Sequence, residues 1–155
     1  MPPASELRCR VATPKGSALS GDPVRHALVC PADCCYFPDT LVNGGRPLEA
    51  IVCVSKPGSP GETVAVNPIA LLRARDRDGD SQSVVCVPRT GSRWSRVRHA
   101  HDLPEQLQAE IERFITSRLP ADQATEIVAW CSRDEALKAI DDAAARWAAT
   151  VNGRA

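Results

Sequence analysis

What most limits the possible folds of this chain is its punctuation. Prolines and glycines recur through the first 90 residues, among them Pro14, Gly16, Pro31, Pro38, Pro47, Pro57 and Gly58, and leave only short runs between them. Both residues weaken a helix interior, whereas short strands joined by tight turns accommodate them at their ends. Leu7 to Thr13 alternates loosely between polar and apolar residues before Pro14-Lys15-Gly16-Ser17 breaks the pattern, so a strand running into a turn is expected there. Val24 to Cys30, bounded by Pro23 and Pro31, reads as another strand, and Pro31 to Pro38 as an irregular stretch.

Leu48 to Val54 is a short apolar run, which suits a strand buried on most of its surface. Thr63 to Arg73 and Ser83 to Val87 are further strands, joined by a charged loop from Arg75 to Asp80. Five short strands crowded with turns predict a small barrel.

The period then changes. After Asp102 and a Pro-Glu start, Leu107, Ile111, Phe114, Ile115 and Arg118 follow at helical spacing. Ala124 to Trp130 is read as a strand. Ser132 with Glu135 forms a capping-box pattern for a second helix, whose buried stripe is traced by Leu137, Ile140, Ala144, Trp147 and Val151, with Gly153 at its end.

At 155 residues the chain can bury one core, so a single domain spanning 1–155 with a short N-terminal arm at 1–6 is expected. Lys plus Arg and Asp plus Glu number 19 each, which leaves no net field to attract nucleic acid or an anionic membrane. Met1 to Arg8 holds no apolar run of signal-peptide type, and the expected location is the cytoplasm. Seven cysteines, an odd number, are expected to remain thiols there.

Six segments, in order, carry a family likeness. They are Pro14-Lys15-Gly16-Ser17, the stretch from Cys30 to Pro38, Gly45-Arg46-Pro47-Leu48-Glu49, Asn67-Pro68-Ile69-Ala70-Leu71-Leu72, Val85-Cys86-Val87-Pro88 and Asp102-Leu103-Pro104. Together they resemble the soluble Mg-dependent inorganic pyrophosphatases of the barrel-forming type, from about Leu7 to Ile140. The resemblance implies an α+β fold: a five-stranded barrel of the oligonucleotide-binding type with two flanking helices. It also implies a homo-oligomer.

The chain departs from that family's pattern where the chemistry lies. Hydrolysing diphosphate calls for divalent ions held by carboxylates, which make hydroxide from water and neutralise both phosphates. Of three aspartates in the family's Asp-Gly-Asp-Pro-Leu-Asp, the first falls at Asn43 or Gly44, the second is Arg46, and only the third stays acidic, as Glu49. On the later loop Asp76 matches the first acid, while Arg77, Ser81 and Ser83 replace others, and Asp78 and Asp80 are candidates to compensate. Cys30 and Cys34 stand where the family has tyrosines. The glutamate before the first turn falls at Ala12, and the Tyr-Lys closing the long helix reads Ser117-Arg118.

The candidate chemical groups are therefore Cys30, Cys34, Glu49 and Asp76, with Lys15, Arg46, Arg118 and Tyr36 as substrate contacts. Glu49 and Asp76 are the candidate ligands for any Mg2+ that the resemblance implies. Cys30, Cys34 and Cys35 are expected close together at the mouth, with His26 and Asp33 within reach, a set that could serve as nucleophile, as Zn2+ site or as simple packing. His99 and His101, beside the arginines around Trp94, read as a solvated basic loop.

Three readings follow. The leading one is a mouth turned to another small-molecule reaction, with phosphorylated molecules among the candidate substrates and ordinary diphosphate hydrolysis lost or weakened. The others are a non-catalytic binding or regulatory subunit, and a weak inorganic diphosphatase.

Overall fold

The computed structural model describes residues 7–17, 29–42, 45–77, 79–117 and 125–153. Six strands, β1 (Arg8–Thr13), β2 (Asp33–Tyr36), β3 (Glu49–Val52), β4 (Thr63–Asp76), β5 (Gly79–Pro88) and β6 (Glu126–Cys131), pair in the order β1-β2-β3-β5-β4-β6. A further pairing of β1 with β4 joins the two ends of the first five, so these strands close into a ring and β6 hangs on the outer edge of β4. Closure removes the exposed edges that short strands would otherwise present. This is the barrel that the sequence predicts.

The strands obey simple local rules. Along β1, Cys9 and Val11 are buried and the residues between them exposed, so alternate side chains enter the barrel. Pro68 has no N–H to give a ladder, and the β4–β5 register slips just after it, between Pro68 and Ala70. The interior cluster takes residues from all five ring strands, including Cys9, Val11, Cys35, Ala50, Val52, Val66, Leu71, Val84 and Cys86.

Two helices flank the ring. α1 (Glu105–Ser117) follows Pro104 and lays Ile111, Phe114 and Ile115 on an outer cluster with Ile51, Leu72 and Val85. Each such side chain contributes about 1.5–3 kcal/mol by leaving water. α2 (Arg133–Asn152) is capped at its start by the Ser132 hydroxyl, which accepts from the Glu135 N–H at 3.4 Å, and joins the interior cluster through Ala136, Ile140 and Ala143.

Several sequence expectations need correcting. The charged segment from Arg75 to Asp80 is the tip of a hairpin, with β4 and β5 paired out to Asp76 and Gly79. Pro31 to Pro38 contains β2, a four-residue strand too short and too polar for alternation to reveal. The buried stripe of α2 is rotated from the one expected: Ala136 and Ala143 carry it with Ile140, because the small residues allow close approach to β4, and Val151 is 43% exposed. The strand expected from Val24 to Cys30 falls mostly outside the described residues. No helix among the described residues is long and apolar enough to cross a membrane.

Candidate active site at the barrel mouth

The site grows out of sheet register. Tyr36 of β2 lies opposite Glu49 of β3, which lies opposite Ser83 of β5. Directly opposed residues share a face, so these three side chains form a row across the outer face of the ring. The Ser83 hydroxyl donates to Glu49 Oε1 at 2.6 Å and fixes that carboxylate's orientation. Further along the hairpin, Ser81 and Asp76 fall on the same face by alternation.

A cavity of about 710 Å3 opens over this row. Cys30, Cys34, Tyr36, Arg46, Glu49 and Asp76, all expected from the sequence as site residues, line it. Arg73, Asp80, Gln82, Thr125 and Arg146 line it too, and the sequence reading did not select them, apart from Asp80 as a compensating acid. The apolar stripe of α2 gives no sign of Arg146, which is exposed and lines the mouth.

The loop carrying Arg46 is built rather than slack. Thr40 is buried; its hydroxyl donates to the Phe37 carbonyl at 2.5 Å and accepts from the Leu48 N–H at 2.9 Å. The Val42 N–H donates to the Arg46 carbonyl at 2.8 Å, and Gly45 turns the chain at φ +77°, a conformation that a Cβ would strain. The Leu41 N–H reaches the Ala143 carbonyl of α2 at 3.0 Å, which ties the loop to the helix. Thr40→Val keeps the shape but leaves the Leu48 N–H without its acceptor, and a loss of about 1–3 kcal/mol is expected in urea unfolding.

Other expected members lie elsewhere. Lys15 is absent from the described lining of the cavity: its Nζ donates to the Val54 carbonyl at 3.1 Å and its N–H to Asp33 Oδ1 at 2.7 Å. Asp33 is 1% exposed and clamps two turns, so it is structural and not part of the mouth. Arg118, His26 and Asp78 lie outside the described residues.

Cys30, Cys34 and Cys35 all line the cavity, as expected, but strand alternation divides them between the two faces of the sheet. Cys35 follows Cys34 directly, so it turns to the opposite face and joins Cys9 in the interior cluster, while Cys34 packs on the outer cluster with Cys30. The neighbouring Cys9 thiol and burial hold Cys35 far above the ordinary thiol range. Burial pushes Cys53 up to about 12 against the opposing pull of Lys15, and burial, with the neighbouring Cys35 and Cys53 thiols, raises Cys86. These three remain neutral thiols at neutral pH and behave as core residues.

The basic segment around Trp94 lies outside the lining of this cavity and is engaged locally. Arg93 lies 4.7 Å from the centre of the Trp94 ring, and Arg98 donates to the Ser95 and Val97 carbonyls. The His99 and His101 rings stack at 5.1 Å.

The acids at the mouth are spread out. Glu49 sits in register with Ser83 and Leu72, and Asp76 lies four residues further along β4, about 13 Å at ordinary strand rise. Asp80 is bound to Arg75 at 2.9 Å. Among the described residues no group of three His, Cys, Asp or Glu could hold a metal ion. The donor chemistry is nonetheless hard oxygen. Mg2+ is commonly held by one or two carboxylates plus substrate phosphate oxygens, keeping several waters, and Glu49 and Asp76 fit that shared mode and not an all-protein cage. Zn2+ would need the converging thiols that alternation separates.

A closed five-stranded barrel with a polar cavity lined by acids and arginines at its mouth defines a small barrel protein. Comparison with known proteins makes the class specific: the model of the family described as inorganic pyrophosphatase matches residues 1–148, and the chain belongs to that family. It is 32% identical over 122 residues to the inorganic pyrophosphatase of Methanosarcina acetivorans, covering 78% of this chain and 73% of that protein. To the inorganic pyrophosphatase of Leifsonia xyli subsp. xyli it is 31% identical over 116 residues, 74% of this chain and 71% of the relative. The solved inorganic pyrophosphatase of Thermus thermophilus superposes with a TM-score of 0.82 at 25% identity, covering 95% of this chain and 94% of that one.

Proposed function

We propose that the protein is a weak inorganic diphosphatase, splitting diphosphate into two phosphates at the barrel mouth with Mg2+ brought in by the substrate. What carries this reading is that, in a chain matched by the family over residues 1–148, Glu49 and Asp76 both line one cavity. Bound with the substrate, Mg2+ would supply charge neutralisation and a more acidic water.

The chain's own part is positional. Ser83 holds Glu49 so that its carboxylate keeps one orientation, able to share an ion with a phosphate or to accept a proton from the attacking water. Tyr36, opposite Glu49, offers a phenolic donor to a phosphate oxygen. Asp76 serves the far end of the cavity. With fewer acids than a multi-ion cage, turnover is slow. Phosphate release from diphosphate by the purified full chain, with Mg2+ and with a chelator, tests the proposal: release that needs Mg2+ is expected, and its absence at every Mg2+ concentration would overturn it.

A second reading, in which the mouth takes a larger phosphorylated molecule, draws on the cavity's volume and its walls of Cys30, Cys34, Phe114 and Ile115. Cavities of this size are usual for small organic ligands. A preference for an organic diphosphate ester over inorganic diphosphate in the same assay would favour it. The proposed diphosphatase also fits a homo-oligomer, as expected from the family.

A further inference from the structure

The mouth is lined by three arginines and by three acids, Glu49, Asp76 and Asp80. Arg46, Arg73 and Arg146 line the cavity, and all three are exposed. Among the described residues none of the three makes a side-chain hydrogen bond or an ion pair with the protein. The acids nearby are differently placed: Glu49 is held by Ser83, and Asp80 is bound to Arg75. The backbone segments that carry Arg46 and Arg146 are also tied together. The loop of Arg46 hydrogen-bonds through Leu41 to Ala143, which is one turn of α2 before Arg146.

We propose that Arg46, Arg73 and Arg146 form a metal-independent grip for the phosphate groups of diphosphate, so that the substrate binds before and without a divalent ion. This rests on the diphosphatase reading for its ligand. A guanidinium presents a planar fork of donors matched to phosphate oxygens, and it keeps its charge at any working pH. A cation at position 46 would repel an ion but attract the phosphate that the ion would otherwise bridge. Such a grip holds ground state and transition state alike, so it lowers KM without raising kcat. Tight binding with slow turnover is the kinetic signature.

The test is calorimetric titration of inorganic diphosphate into the full chain in chelator, beside phosphate release in Mg2+. Saturable binding in chelator is expected, weakened by added salt. Each of Arg46→Ala and Arg146→Ala is expected to weaken it about tenfold or more, as losing a charge-assisted hydrogen bond does. Arg146→Lys should restore part of the loss, and unchanged thermal unfolding should accompany all variants, since these side chains are exposed.

Binding seen only with Mg2+, or an affinity in chelator that Arg146→Ala leaves unchanged, overturns the grip. If Arg146→Ala shifts the melt, the Arg146→Lys comparison decides, because a merely structural role would not restore salt-dependent affinity. Hydrolysis in Mg2+ without binding in chelator removes the grip and leaves the diphosphatase reading. Binding in chelator without hydrolysis does the reverse.

Discussion

Asp33→Ala is expected to cost about 3–5 kcal/mol of stability and to lower Tm by roughly 10 °C, more than any change at the mouth. The reason is a buried carboxylate with two fixed tasks. Asp33 opens β2 and is 1% exposed; its Oδ1 accepts from the Lys15 N–H at 2.7 Å and its Oδ2 from the Gly58 N–H at 3.0 Å. One side chain thus ties the turn after β1 to the segment after β3. Removing it leaves two backbone donors in a space water does not readily reach, and each unsatisfied donor costs about 1–3 kcal/mol. Asp33→Asn keeps the shape and one acceptor, so a smaller loss is expected. The packing is close: a Cβ on Gly58 would lie 2.8 Å from Asp33 Oδ2 and 3.1 Å from Val11 Cγ2. Urea unfolding measures both variants, and an Asp33→Ala loss within the roughly 0.5 kcal/mol of an ordinary surface change would remove this account of the clamp.

Glu49→Gln is expected to reduce kcat for diphosphate about a hundredfold while leaving binding in chelator unweakened. Glutamine keeps the length of the side chain and an oxygen to accept the Ser83 hydroxyl, so the local structure persists. What goes is the charge that a substrate-borne ion or a developing proton would meet. Because Arg46, Arg73 and Arg146 supply the ground-state grip in this account, KM should move little. A matched rise in KM with unchanged kcat would instead place Glu49 among the binding groups.

The barrel was legible because its causes are local. Proline and glycine mark the strand ends, Ser132 and Glu135 mark the start of α2, and Pro104 precedes α1. β2 was hidden since four residues, Asp33 to Tyr36, carry too little pattern and owe their strand form to neighbours on both sides. The hairpin tip was hidden because its charged residues read as loop while its backbone ladder runs on to Asp76 and Gly79.

At the site, family resemblance located Glu49, Asp76, Cys30, Cys34, Tyr36 and Arg46 on what proves to be one cavity. It misplaced Lys15, whose ammonium is turned to the Val54 carbonyl. It could not foresee Arg146, which reaches the mouth because α2 packs on the barrel through Ala136, Ile140 and Ala143 and is tied by a hydrogen bond to Leu41, about a hundred residues away in the chain. The separation of Cys34 from Cys35 was available in principle from alternation alone, once β2 was known to be a strand.

The central claim is that this mouth still handles diphosphate, with few acids and an ion carried by the substrate. Its most direct test is the rate of phosphate release as free Mg2+ is raised at fixed diphosphate, for the unaltered chain and for Glu49→Gln. The account predicts slow release that rises with the fraction of diphosphate complexed to Mg2+, levels off once complexation is complete, and is largely lost in the variant. Release independent of Mg2+, or equal in the two proteins, would contradict it.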